Sequence, residues 1–85
     1  MDISRAEQRV LHLLAQGGRI EVVHNEHRKI VDATCFTREG WRYAGLSIRL
    51  FRKLKRRGAV SSRGGKPYQI TRRGLGLVRS ELDNR

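Results

Sequence analysis

The chain has 85 residues, 38% hydrophobic and 32% charged, with a net charge of +11, one proline and one cysteine. That length supports one domain built on one core, and apolar positions that recur with helix and strand periods argue against a disordered basic tail. The charge is segregated: Met1 to Glu39 carries six basic and six acidic residues, whereas Gly40 to Ser80 carries twelve basic residues and no acidic one. This implies a polyanionic partner, with a merely solvated basic surface as the plainer alternative. No apolar run approaches the length of a membrane span, and the opening Met1-Asp2-Ile3-Ser4 shows no leader pattern, so a soluble, cytoplasmic protein is expected. With Cys35 alone, no intrachain disulfide can form, which fits a reducing compartment.

Ser4-Arg5-Ala6-Glu7 fits a capping box, in which the serine oxygen accepts an orphan amide proton and the glutamate reaches back to the serine amide. A helix is expected within residues 1–18, with Ile3, Ala6, Val10, Leu13 and Leu14 on its apolar side. Arg5, Arg9, His12 and Gln16 lie opposite, and Gly17-Gly18 is the stop. Residues 19–36 read as a hairpin around Asn25-Glu26-His27-Arg28. A four-residue loop there pairs His24 with Lys29, Val22 with Val31 and Ile20 with Ala33. Ile20, Val22, Val31, Ala33 and Cys35 then share one face, Val23 meets Ile30 on the other, and Glu21 faces Asp32. That like-charge pair needs relief from Arg19 or Lys29. Residues 37–46 are the least legible, because Gly40 and Gly45 bracket only Trp41-Arg42-Tyr43-Ala44. One helical turn or an ordered loop is expected.

Ser47 caps a second helix, residues 47–57, which Gly58 ends. Ile48, Leu50, Phe51 and Leu54 fall on one side, and Arg49, Arg52, Lys53 and Arg56, at i, i+3, i+4 and i+7, form a stripe on the other. Lys55, Arg56 and Arg57 suit the negative end of the helix dipole, but Arg49 sits at the wrong end for that explanation. Residues 59–70 form a second hairpin. A three-residue loop over Gly64 to Lys66 pairs Val60 with Ile70 and Ser62 with Tyr68 and leaves Arg63 and Lys66 at the tip. Thr71 caps a third helix, residues 71–82, holding Leu75, Val78 and Leu82, which Gly74 and Gly76 each weaken by about 1 kcal/mol relative to alanine. Arg72 and Arg73 oppose the dipole in its first turn, a hint that they are placed for a ligand.

The expected fold is therefore α+β, a single winged helix-turn-helix-like domain over residues 1–85 with three helices and two β-hairpins. A helix fits the major groove, while an arginine-bearing hairpin tip reaches the adjacent backbone or minor groove. KLKRRGAV and YQITRRGL resemble the recognition-helix end and post-wing segment of bacterial winged-helix regulators. The chain departs from them in having the first hairpin where those proteins usually have a full helix, so ordinary groove docking does not follow. The binding candidates are Arg49, Arg52, Lys53, Arg56, Arg63, Lys66, Arg72 and Arg73, facing DNA or an acidic protein surface. Trp41, Tyr43 and Tyr68 read as partial core, with base stacking as the alternative, and Phe51 as core. His12, His24, His27 and Cys35 fit no tight ligand spacing, so no metal or cofactor is expected. Catalysis by Cys35 with a histidine, or by Glu21 with Asp32, lacks a nucleophile motif and would need a pocket that so small a domain can hardly form. No enzyme is expected. The enzymatic alternative is a ribonuclease toxin using His12 beside arginines.

Ser4-Arg5, Glu7-Gln8-Arg9, Leu11-His12, Leu14-Ala15, Gly17-Gly18-Arg19-Ile20, Arg38-Glu39-Gly40, Phe51, Lys53-Leu54-Lys55, Pro67-Tyr68 and Leu82-Asp83-Asn84-Arg85 together resemble the YjhX family of small bacterial proteins over nearly the whole length. The resemblance implies a toxin-like protein that inhibits DNA topoisomerase I without catalytic chemistry of its own, by binding the enzyme or its DNA. It also implies an antitoxin as a further partner, and it assigns no contact residues. The runner-up is a winged-helix DNA-binding transcriptional regulator.

Overall fold

A computed structural model describes residues 3–83, with side chains from Ile3 to Arg79. In chain order the elements are α1 (Arg5–Ala15), β1 (Arg19–His24), β2 (Ile30–Phe36), β3 (Arg42–Tyr43), α2 (Ile48–Arg56), β4 (Val60–Ser61), β5 (Gln69–Ile70) and α3 (Arg72–Asp83). The fold is α+β, with three helices and two antiparallel sheets, ordered β1-β2-β3 and β4-β5. No helix among the described residues is long and apolar enough to cross a membrane.

The capping box forms: Glu7 N donates to Ser4 Oγ at 3.1 Å, and Ser4 N donates to Glu7 Oε1 at 2.9 Å. The buried face of α1 is not the expected one, however. It consists of Glu7, Val10, Leu11 and Leu14, while Ala6 is exposed. The stripe is rotated because α1 packs against α2 and α3 at once, and Glu7 carries its charge into that junction. Its side chain has no exposure to solvent. A buried carboxylate is tolerated only when paired, and two cations pair it. Arg57 Nε donates to Glu7 Oε2 at 2.7 Å, and Lys53 Nζ lies 3.4 Å from Oε1. Burial pushes the Glu7 carboxyl upward, but the Ser4 hydrogen bonds and the Arg57 charge outweigh it and hold the group below the usual glutamate range.

The first hairpin pairs two residues away from the expected register, with Ile20 opposite Cys35 and Val22 opposite Ala33. An even shift keeps the same side chains inward, so the core face survives the error. The cause lies in the loop. Asn25 Oδ1 accepts from the amides of His27 and Lys29, and Arg28 adopts φ 63°. A bulge follows that leaves Val31 unpaired and exposed, and sets Val23 against Asp32 rather than Ile30. Glu21 faces Thr34, so the like-charge pair with Asp32 does not form, and Arg19 bridges Glu21 at 2.8 Å.

Residues 37–46 contain a strand rather than a helical turn. Thr37 N donates to the Trp41 carbonyl, Gly40 N donates to the Thr37 carbonyl and Gly40 takes φ 94°, which favours glycine. The chain returns as β3, with Tyr43 opposite Cys35 and Arg42 opposite Phe36. Two residues are too few for a periodic signal. In the second hairpin Val60 pairs with Ile70, as the odd loop requires. Ile20 and Tyr68 exchange backbone hydrogen bonds of 2.9 and 2.8 Å, which ties the second hairpin to β1. Ile20, Cys35, Phe51, Leu54, Val60 and Leu11 thus belong to one core. Cys35 is fully buried in this core, and burial pushes its thiol up to about 11.

Thr71 caps α3, accepting from Gly74 N at 3.0 Å and donating to the Gly58 carbonyl at 2.6 Å. Gly74 does more than weaken this helix. It is buried, and a Cβ there would lie 2.5 Å from the Ala59 carbonyl oxygen, so only glycine lets α3 approach this closely. Val78 is buried, Leu75 is more exposed than expected, and the Leu82 side chain lies outside the described residues.

Glu7→Gln removes the countercharge of Arg57 and Lys53 and should cost about 2 kcal/mol, read from the urea midpoint. Because the folded-state pKa of Glu7 is depressed, its contribution is complete above the unfolded glutamate value of about 4.3 and is lost as pH falls through the lower folded value. Acid titration of stability should therefore be shallower in the variant. Gly74→Ala should destabilise by about 2 kcal/mol through the clash with Ala59, against a gain in helix propensity of about 1 kcal/mol were the site open.

Candidate nucleic-acid interface

Between Arg49 and Arg57 the second helix and its cap carry six cations, and the fold sorts them by partner. Lys53 and Arg57 turn toward Glu7 of α1. On the opposite flank Arg52 Nη2 donates to the Ile30 carbonyl at 3.3 Å, and Lys55 Nζ lies 5.8 Å from the centre of the Tyr68 ring. Arg49 and Arg56 project into solvent between them, with no ion pair among the described residues. The expected stripe is therefore one outward face with tethered margins. Lys53 stays half exposed, at 49%, while holding Glu7.

A cleft opens on each of two sides of the second hairpin. One, about 420 Å³, runs between α2 and the tip of the first hairpin. His24, Arg28, Lys29, Arg52 and Lys55 line it above Phe51 and Tyr68. The other, about 520 Å³ and more enclosed, lies between the second hairpin and the start of α3, where Arg19, Arg63, Lys66 and Arg72 converge with Ser61, Gln69 and Thr71. No carboxylate among the described residues lines either cleft. Arg73 is exposed and lines neither, its side chain lying near Gly58.

Four of these cations, Arg19, Arg28, Lys29 and Lys55, are absent from the sequence-based set. Counting charge by halves concealed the first three, since the amino-terminal half sums to zero. Yet Glu7 is consumed in the core and Glu21 by Arg19, and the basic tip Arg28-Lys29, in the same loop as Glu26, reaches the α2 groove. Two adjacent cations in a hairpin loop were the available signal. Tyr68 meets Phe51 edge-on, with ring centres 5.0 Å apart, and behaves as partial core, as does Tyr43. Trp41 does not: it is 74% exposed on the β2–β3 turn.

A third cleft, about 680 Å³ and mainly apolar, separates the outer face of α1 from the β2–β3 turn and gathers Arg9, His12, Leu13, Arg38, Glu39 and Tyr43. His12 lies 3.5 Å from Gln16. Among the described residues no three His, Cys, Asp or Glu side chains gather where they could hold one metal ion.

The chain matches, over residues 1–85, the YjhX toxin family, described as "putative toxin of bacterial toxin-antitoxin pair". It is similar to UPF0386 proteins of Hyphomonas neptunium, at 67% identity over 99% of each chain, and of Agrobacterium fabrum, at 66% over the whole of both. A UPF0386 protein of Rhizobium etli is 64% identical, again over the whole of both chains. No solved structure matches. With a family match from the first residue to the last and relatives of equal length, the chain belongs to the YjhX toxin family.

Proposed function

We propose that this chain is a non-enzymatic toxin of the cytoplasm that acts by binding DNA through its basic face, obstructing DNA topoisomerase I on its substrate. One observation carries the reading. The outward side of α2 and the two clefts beside the second hairpin present cations from five elements and loops, and no carboxylate lines either cleft. Such a surface gains free energy mainly by displacing condensed counterions, so engaging about six phosphates gives a slope of log K against log[salt] near −5. In this reading α2 and the β4–β5 hairpin act as the helix and wing of a winged helix. Contacts of this kind position a protein on a duplex without reading bases. That favours a sequence-tolerant obstructing protein over a transcriptional regulator. An antitoxin would neutralise it by offering acidic groups to the same face.

A ribonuclease reading has one observation in its favour, the meeting of His12, Arg9, Arg38 and Glu39 in the third cleft. It differs from the binding reading in its sensitivity to His12→Ala, which removes a proton-transfer group while leaving the basic face intact.

The deciding experiment is a topoisomerase I relaxation assay with and without excess competitor DNA, set beside gel shifts at two salt concentrations. Inhibition should be relieved by competitor and should survive His12→Ala. It should also fall more than about tenfold in Arg49→Glu/Arg56→Glu, whose melting temperature stays close to that of the parent because both side chains are exposed and have no ion pair among the described residues. Inhibition that persists at saturating competitor would mean that the face grips the enzyme itself.

A further inference from the structure

We propose that the cleft between the second hairpin and α3 binds the terminal phosphate of a polynucleotide strand, a dianionic monoester. The assignment rests on the nucleic-acid reading above and narrows it. Arg19 from β1, Arg63 and Lys66 from the hairpin loop, and Arg72 from the first turn of α3 converge on about 520 Å³. Of the four, only Arg19 has an ion pair among the described residues, at 2.8 Å to Glu21. Gathering like charges in a concave site opposes folding. Arg72 adds to that cost, because a cation in the first turn of a helix faces the positive end of its dipole. An anion in the cleft reverses both terms at once.

The shape selects the kind of anion. An internal phosphodiester has one negative charge and a chain leaving on both sides, which suits the more open groove along α2. The second cleft is more enclosed, walled by β1, the second hairpin and α3, and accommodates an end more readily than a passing strand. A monoester near neutral pH carries up to a second charge and one more terminal oxygen. Arg63, Lys66 and Arg72, which have no ion pair among the described residues, can match that charge and those oxygens, and the Ser61 hydroxyl and the Gln69 amide supply neutral donors. The rest of the strand has a path. Lys66 lines both this cleft and a depression whose other wall includes His24 and Glu21, the carboxylate already paired with Arg19, and His24 in turn borders the α2 groove with its four cations. End recognition and backbone tracking are thus neighbouring parts of one surface.

The test compares one short single-stranded DNA bearing a hydroxyl at both ends with the same strand phosphorylated at its 5′ or its 3′ end, by fluorescence anisotropy at fixed salt. One phosphorylated form should bind about tenfold more tightly than the hydroxyl form. Arg63→Gln/Arg72→Gln should weaken binding of both strands, but of the phosphorylated one about tenfold more, so that the preference disappears, with an unchanged melting curve. Lys66→Gln serves as an independent variant and should weaken the preference in the same direction. Equal binding of all three strands overturns the end assignment and leaves the nucleic-acid reading standing, whereas no binding to any of them overturns both. A nucleoside monophosphate that binds as tightly as the phosphorylated strand overturns the assignment to a strand end.

Discussion

The ion cluster of Glu7 with Arg57 and Lys53 fixes the relation between the neutral and the basic parts of this chain. Glu7 Oε1 already serves the Ser4 cap, so the carboxylate is immobilised by α1 before it meets α2. Arg57 then satisfies the other oxygen, and the pairing spans 50 residues of sequence. Buried charge clusters of this kind contribute little net stability relative to a well-packed apolar alternative, yet breaking one is expensive. Their effect is on orientation. With Arg57 and Lys53 committed to α1, the helical period leaves Arg49 and Arg56 no direction but outward, and Arg52 and Lys55 must point toward the first hairpin. The direction of the cationic face therefore follows from a glutamate in the half of the chain that has no net charge.

The second constraint is the exchange of backbone bonds between Ile20 and Tyr68. A hairpin of two-residue strands cannot hold its position alone. Bonded to β1, and with the Thr71 hydroxyl joining α3 to the Gly58 carbonyl, it becomes a fixed wall between two clefts. This wall brings Arg19, a β1 residue, beside Arg63 and Arg72 from much later in the chain. Both interactions gather positive charge on one side of the molecule, where, among the described residues, only Arg19, Lys53 and Arg57 of the cations have an ion pair.

Legibility followed how local each signal is. The Ser4, Ser47 and Thr71 caps, the Gly58 stop and the odd loop over Gly64 to Lys66 are short-range chemistry, and they stand as read. The inward set Ile20, Val22, Ala33 and Cys35 was legible despite a wrong register, because an even slip leaves alternation untouched. Val31 was not, because the Asn25-centred loop and the bulge invert its face. β3 is too short to have a period. The burial of Glu7 was hidden by its own capping role, which accounted for its position without any tertiary contact. Arg28 and Lys29 became candidates only when the fold placed the hairpin tip beside α2. The cations singled out from the sequence were those whose charge is concentrated along the chain, and the ones the fold adds to the same surface are concentrated only in space.

The cations differ in readiness as well as direction. A lysine or arginine side chain loses up to about 2 kcal/mol of rotamer freedom when it is fixed against a ligand. Arg52, held by the Ile30 carbonyl, and Lys53, held by Glu7, have surrendered part of that freedom during folding, whereas Arg49 and Arg56 are exposed and have no ion pair among the described residues. Tethered margins around mobile central charges suit a phosphate backbone. On the proposed reading the margins would define where a polyanion lies, and the central pair would adjust to local phosphate spacing without demanding a base sequence. Reading bases requires side chains that present a fixed donor and acceptor pattern to base edges. The pattern of tethering on α2 thus fits the proposed placement of the protein on nucleic acid better than selection of a site along it.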